Sequence, residues 1–185
     1  MKPKEDKREK LIQTAKKLIY RQGYNQTTLA DIAEHSGISV GNIYYYFKTK
    51  EQLVQAIIDK RTERFLELTQ EWEKEQDPRK RLLMFLEKPI SVSQDIAEKG
   101  CPVGSLLQEL NKSGAVDSKT ANSTIKAYLE WVTEQFQLIG KENPRKLAYS
   151  FIASLQGGYL LTNSLNDIEI LNMLIKQLQD DVVLR

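Results

Sequence analysis

"GISVGNIYYYFKTKEQL", residues 37–53, is the stretch that decides how this chain is read. Tyr44, Tyr45 and Tyr46 stand side by side, and Phe47 follows at once. Consecutive residues of a helix point to different faces, so four adjacent aromatics cannot all be buried. Val40, Ile43 and Phe47 are three or four residues apart, so Ile43 and Phe47 can hold the segment to a core while the tyrosines fan outward. The segment is bounded by Gly37 on one side and by a second helix-start signal, Thr49 with Gln52 three residues on, on the other.

Working outward, every flanking segment reads as helix. Leu11, Ile12, Ala15, Leu18 and Ile19 make one apolar face of a helix expected over 5–21, and Gly23 ends it. Thr28 with Asp31 has the spacing of a capping box, ahead of a core face of Leu29, Ile32 and Ala33. Ser39 caps the short helix that carries the tyrosines. A long fourth helix is expected from Lys50 to Gln76, stopping before Pro78. Beyond it, helices are expected over 78–85, 91–99, 104–112, 120–139, 144–165 and 168–181, with Pro89, Gly100, Pro102, Gly114, Gly140 and Pro144 between them. Nothing reads as a hairpin, a βαβ unit or a repeat. The expected fold is all-α, with about nine helices.

Charge is unevenly spread. Residues 1–50 hold 10 Lys/Arg against 5 Asp/Glu, a net of +5, whereas residues 51–185 hold 17 against 20, a net of −3. A basic excess at one end points to a polyanionic partner for that end. The single cysteine excludes an internal disulfide and fits a reducing, cytoplasmic setting. "MKPKEDKREK" lacks an apolar core, so no secretion signal is expected, and no apolar run approaches the roughly 20 residues of a membrane span.

Two short helices joined by the tight turn "HSGIS" have the layout of a helix-turn-helix. In that motif the second helix enters the major groove and the first crosses the phosphate backbone. Gly41 would let the recognition helix lie close to base edges. A phenol OH can donate to a phosphate oxygen, and its ring can pack on a thymine methyl or a sugar.

"TTLADIAEHSGISVGNIYYYFKTKEQLVQAI", residues 27–57, resembles the DNA-binding domain of the TetR family of bacterial transcriptional regulators. The resemblance covers roughly residues 8–60. It rests on Gly23-Tyr24, Thr27-Thr28, Ile32-Ala33, "SGIS", "IYYYF" and the lysine-flanked "KTKEQL" at the family's spacing. It implies a DNA-binding domain over 1–49 and a helical ligand-binding and dimerisation domain over 50–185. It implies that Thr28 holds a phosphate, that Ser39, Val40, Gly41, Asn42 and Tyr44 face bases, and that Tyr45, Tyr46 and Lys50 grip phosphates. His35 is a helix-end surface residue with no site role.

The C-terminal body carries less signal. In the family it holds an effector cavity and the dimer interface. "RKLAYSFIASLQGGYLLTNSL" and "DIEILNMLIKQLQDDVV" are the interface candidates, since two such helices from each of two chains can form a four-helix bundle. Gly157 and Gly158 inside the first of these imply a close helix approach or a pocket wall. Phe65, Trp72, Phe85, Tyr128, Trp131, Phe136 and Tyr159 are large residues available to line a cavity. "KGCPVGSLLQEL", residues 99–110, is similar to a segment of some TetR-like regulators in which the cysteine senses electrophiles, which makes Cys101 a candidate ligand-side residue.

No catalytic constellation, metal set or cofactor motif emerges. The reading is a non-enzymatic regulator whose partners are double-stranded operator DNA, a second copy of the chain and a small-molecule effector of unknown identity. The alternative is a regulator of the same fold controlled by a protein partner. A helical enzyme carrying a helix-turn-helix lacks any catalytic set to support it.

Overall fold

The computed structural model describes residues 6–184; Glu5, where the first helix is expected to begin, lies outside them. The described residues form eleven α-helices and no strand. These are α1 (Lys7–Gln22), α2 (Leu29–Ser36), α3 (Val40–Tyr46), α4 (Lys50–Trp72), α5 (Pro78–Ile90), α6 (Ser93–Lys99), α7 (Gly104–Ser113), α8 (Ser118–Ala121), α9 (Ser123–Leu138), α10 (Pro144–Leu165) and α11 (Ile168–Leu184). The all-α expectation holds, and the differences are local.

The fourth helix stops at Trp72 rather than Gln76. Residues 73–76 close into turns whose carbonyls are claimed from elsewhere: the Arg81 guanidinium donates to the Glu75 carbonyl at 2.7 Å. α5 runs through Pro89 to Ile90. A proline in a last turn removes only one helical hydrogen bond, so it ends the helix without breaking it earlier. The helix expected over 120–139 is two helices: Asp117 caps α8 by accepting the Thr120 amide at 3.1 Å, and Asn122 interrupts at φ −90°, ψ 0° before α9 begins.

Two compact units are present. The first comprises Met1–Glu63 and Val103–Thr124, so α7 and α8 belong with α1–α3 and the start of α4. Its core is the apolar face of α1 packed with Ile32, Ile43, Phe47, Leu53, Val54 and Ile57, joined by Leu106 and Leu110 from α7. The second comprises Arg64–Pro102 and Ile125–Arg185. There α10 packs on α11 and α6, and α11 packs on α5. α4 contributes residues to both units.

Candidate nucleic-acid interface

The turn expected between the two short helices is built as a backbone device. Gly37 takes the left-handed conformation, φ +65°, which a residue without a Cβ adopts at no steric cost, and its amide reaches the Ala33 and Glu34 carbonyls. The buried Ser36 hydroxyl oxygen accepts the Ile38 amide at 3.2 Å. α2 opens with the capping box: the Thr28 hydroxyl oxygen accepts the Asp31 amide at 3.1 Å, and the Asp31 carboxylate accepts the Thr28 amide at 2.8 Å. The bonds to Thr28 hold the Asp31 carboxyl below its usual range.

α3 is fixed from inside. Ile43 is fully buried and Phe47 nearly so, with the Arg8 guanidinium 5.2 Å above the Phe47 ring. The other face is bare: Ser39, Val40, Gly41, Asn42, Tyr44 and Tyr45 are all exposed, Tyr45 at 75%. Tyr46 is half-buried against the core and meets Tyr45 edge-on, ring centroids 5.0 Å apart. Ser39 caps α3 and accepts from the Asn42 side-chain amide at 3.2 Å, which orients that side chain. A Cβ built on Gly41 meets nothing within 4 Å, so packing within the chain does not call for glycine there.

Lys50 is turned inward. Its ammonium donates to the Tyr24 carbonyl at 2.9 Å and the Thr27 carbonyl at 3.0 Å, and lies 4.0 Å from the Tyr24 ring centroid. Beside it, the Tyr24 hydroxyl donates to Glu51 at 3.1 Å. Burial and then that carboxylate push the Tyr24 phenol well above its usual range. Glu51 is held below its usual value by its own backbone amide, the Thr49 hydroxyl and Tyr24. Sequence reasoning passed over the exposed Lys48, whose ammonium donates to the Tyr44 carbonyl at 2.9 Å at the end of α3. A lysine just beyond a helix's C-cap, whose ammonium can reach back to the last carbonyls, is the signal that would have found it.

In the second unit, Phe65, Trp72, Phe85, Tyr128 and Trp131 form one aromatic cluster, with ring centroids 4.4–6.2 Å apart. Tyr159 is buried, which drives its hydroxyl well above the usual range, with Cys101 and Tyr128 acting in the same direction. Five of the residues picked from sequence on this side therefore converge in one cluster, and Phe136 joins it through Phe151, whose ring stands 5.9 Å from that of Phe136 and 6.0 Å from that of Phe85. The Trp131 indole N–H and the buried Thr162 hydroxyl have no hydrogen-bond partner; Thr162 is invisible to sequence reasoning because a helical threonine carries no pattern of its own.

Residues 11–57 match the family model described as bacterial regulatory proteins, tetR family. The chain is 30% identical over 167 residues to the HTH-type transcriptional regulator LmrA of Bacillus subtilis (strain 168), covering 85% of this chain and 86% of that one. It is 28% identical over 174 residues to an HTH-type transcriptional regulator in the lacX 3'region of Lactococcus lactis subsp. lactis, covering 89% and 87%. Its fold matches the crystal structure of a TetR transcriptional regulator from Legionella pneumophila with a TM-score of 0.86 at 22% identity, over 98% of this chain and 99% of the other. The chain belongs to the TetR family: it is a DNA-binding transcriptional regulator and not an enzyme. Among the described residues, no helix is long and apolar enough to cross a membrane.

Proposed function

We propose that the protein is a cytoplasmic repressor that binds a near-palindromic operator as a homodimer and is released by a small apolar or electrophilic effector. Ser39, Val40, Gly41, Asn42 and Tyr44 read bases, and Thr28, Tyr45 and Tyr46 hold phosphates; Lys50 spends most of its donors on the turn and has one N–H left for the backbone. The observation that carries the dimer is a bare stripe on α10. Tyr149, Ala153, Leu160, Leu161 and Ser164 are exposed along one face, Leu160 at 65%. Gly157 lies among them with nothing within 4 Å of a built Cβ. One recognition helix reads only a few base pairs, and a two-fold partner doubles the site.

The effector reading draws on Trp131 and Thr162. An unpaired buried polar group costs about 1–3 kcal/mol, and a bound molecule that supplies an acceptor offsets that. The alternative, control by a protein partner, has support of its own, since the aromatic rings already pack on each other without a ligand.

Light scattering of the free protein should give a dimer at micromolar concentration, and monomer alone would overturn the reading. A compound that stabilises the protein should also weaken its binding to a duplex selected from random sequence, by about 5–150-fold for a coupling of 1–3 kcal/mol. Reciprocity then requires the duplex to weaken the compound by the same factor. A compound bound equally with and without DNA defeats the effector mechanism; release by a purified partner protein alone favours the alternative.

A further inference from the structure

The aromatic core accounts for only the cysteine end of "KGCPVGSLLQEL". The other end belongs to the first unit. Leu106 and Leu110 are four residues apart on α7, and both are buried in the core that includes Leu11 and Ile57. Glu109, between them in sequence, reaches the turn that joins α1 to α2. Its Oε2 accepts the Asn25 amide at 3.1 Å, across 84 residues of sequence. Its Oε1 stands 3.0 Å from where a Cβ on Gly23 would lie, so the carboxylate occupies space that the glycine leaves open.

The same turn is held by α4. Lys50 takes the Tyr24 and Thr27 carbonyls, and Glu51 takes the Tyr24 hydroxyl. Tyr24, Asn25 and Thr27 are thus each tied to a charged side chain from another helix, and the next residue is Thr28, the N-cap of α2.

We propose that Glu109 is a positioning residue for the operator: by holding the Asn25 amide, it sets where Thr28 and the N-terminus of α2 meet the DNA backbone. This rests on the reading of Thr28 as a phosphate contact. With Glu109 gone, the turn keeps its α4 tethers but samples more conformations, and the cost of ordering it falls on DNA binding. The carboxylate itself touches no DNA.

The test uses Glu109→Ala, Glu109→Met, Glu109→Gln, Thr28→Ala and the Glu109→Ala/Thr28→Ala pair. Each is measured by fluorescence anisotropy on a duplex that the wild-type protein selects from random sequence, with thermal midpoints and Asn25 amide exchange alongside. Alanine, and methionine, which keeps the stem but not the acceptor, should weaken binding about tenfold, in keeping with one lost bond to a charged group. Both should speed Asn25 exchange. Glutamine can accept the same N–H and should stay within about threefold of wild type. Thr28→Ala should cost much less in the Glu109→Ala background than alone, because the two act through one contact. Wild-type affinity in both the alanine and methionine variants would overturn the proposal. So would losses that track the unfolded fraction and add independently of Thr28→Ala. A wild-type protein that binds DNA with no cost from Thr28→Ala defeats the parent reading of α2 and this proposal with it.

Discussion

Gly41 and Tyr45 hold little of the fold together. Tyr45 is exposed, and a methyl group on Gly41 has open space around it. Glycine in a helix costs up to about 1 kcal/mol relative to alanine, so an unpacked helical glycine is held by a demand from outside the chain. Gly41→Ala should therefore raise stability by up to about 1 kcal/mol in urea titration while lowering affinity for the selected duplex. Tyr45→Phe should leave stability unchanged and weaken specific and scrambled duplexes alike, by about 1.5–3 kcal/mol for one bond to a charged phosphate. A Gly41→Ala variant that gains stability and keeps full DNA affinity would remove Gly41 from the interface. The outward tyrosines and Gly41 could be found from sequence because helical periodicity separates faces. Glu109 and the inward turn of Lys50 could not, since each depends on a carbonyl or amide brought close by the tertiary fold.

Among the elements, α2 and the start of α4 owe their definition to carboxylates. Asp31 and Glu51 both sit below their ordinary values of 3.8 and 4.5 in the folded chain. The unfolded chain therefore binds more protons in acid. Their contribution is complete above about pH 4.5 and fades as the pH falls through the lowered folded values. The urea midpoint should be flat near neutrality and drop below that pH. Asp31→Asn should lower the midpoint at pH 7 and make the acid decline shallower; an unchanged acid slope would remove Asp31 from the account. The capping residues Thr28, Ser39 and Thr49 are readable in sequence because a cap is satisfied within three residues. The end of α4 is not, because Arg81 sets it from another helix.

At the scale of the molecule, two adjacent glycines on α10 have different reasons to be there. A Cβ on Gly158 would stand 3.1 Å from the Leu174 side chain, so Gly158 serves the packing of α10 on α11. Gly157 meets nothing in its own chain and lies on the exposed stripe with Leu160 and Leu161. If that stripe is the dimer seam, Gly157→Ala should stabilise the isolated fold by about 1 kcal/mol and yet weaken the dimer. Leu160→Glu should give a helical monomer with at least about tenfold weaker operator binding, because a lone recognition helix loses its symmetric partner. Sedimentation of both variants decides it: a Leu160→Glu protein that remains fully dimeric puts the seam elsewhere.

The amino-acid sequence alone determined that the chain is all-α, where the helix-turn-helix lies, and which face of its second helix is free. Those properties follow from local periodicity, caps and glycines, which act within a few residues. The tertiary structure decided which helices share a core. That placed α7 and α8 beside the DNA-binding helices, gathered Phe65, Trp72, Phe85, Tyr128 and Trp131 into one cluster, and left Trp131 and Thr162 unpaired. Burial of apolar faces is non-directional, so an amphipathic stripe states that it must be covered without naming its partner. The Asn25 amide and the Glu109 carboxylate meet only after that choice of partner has been made.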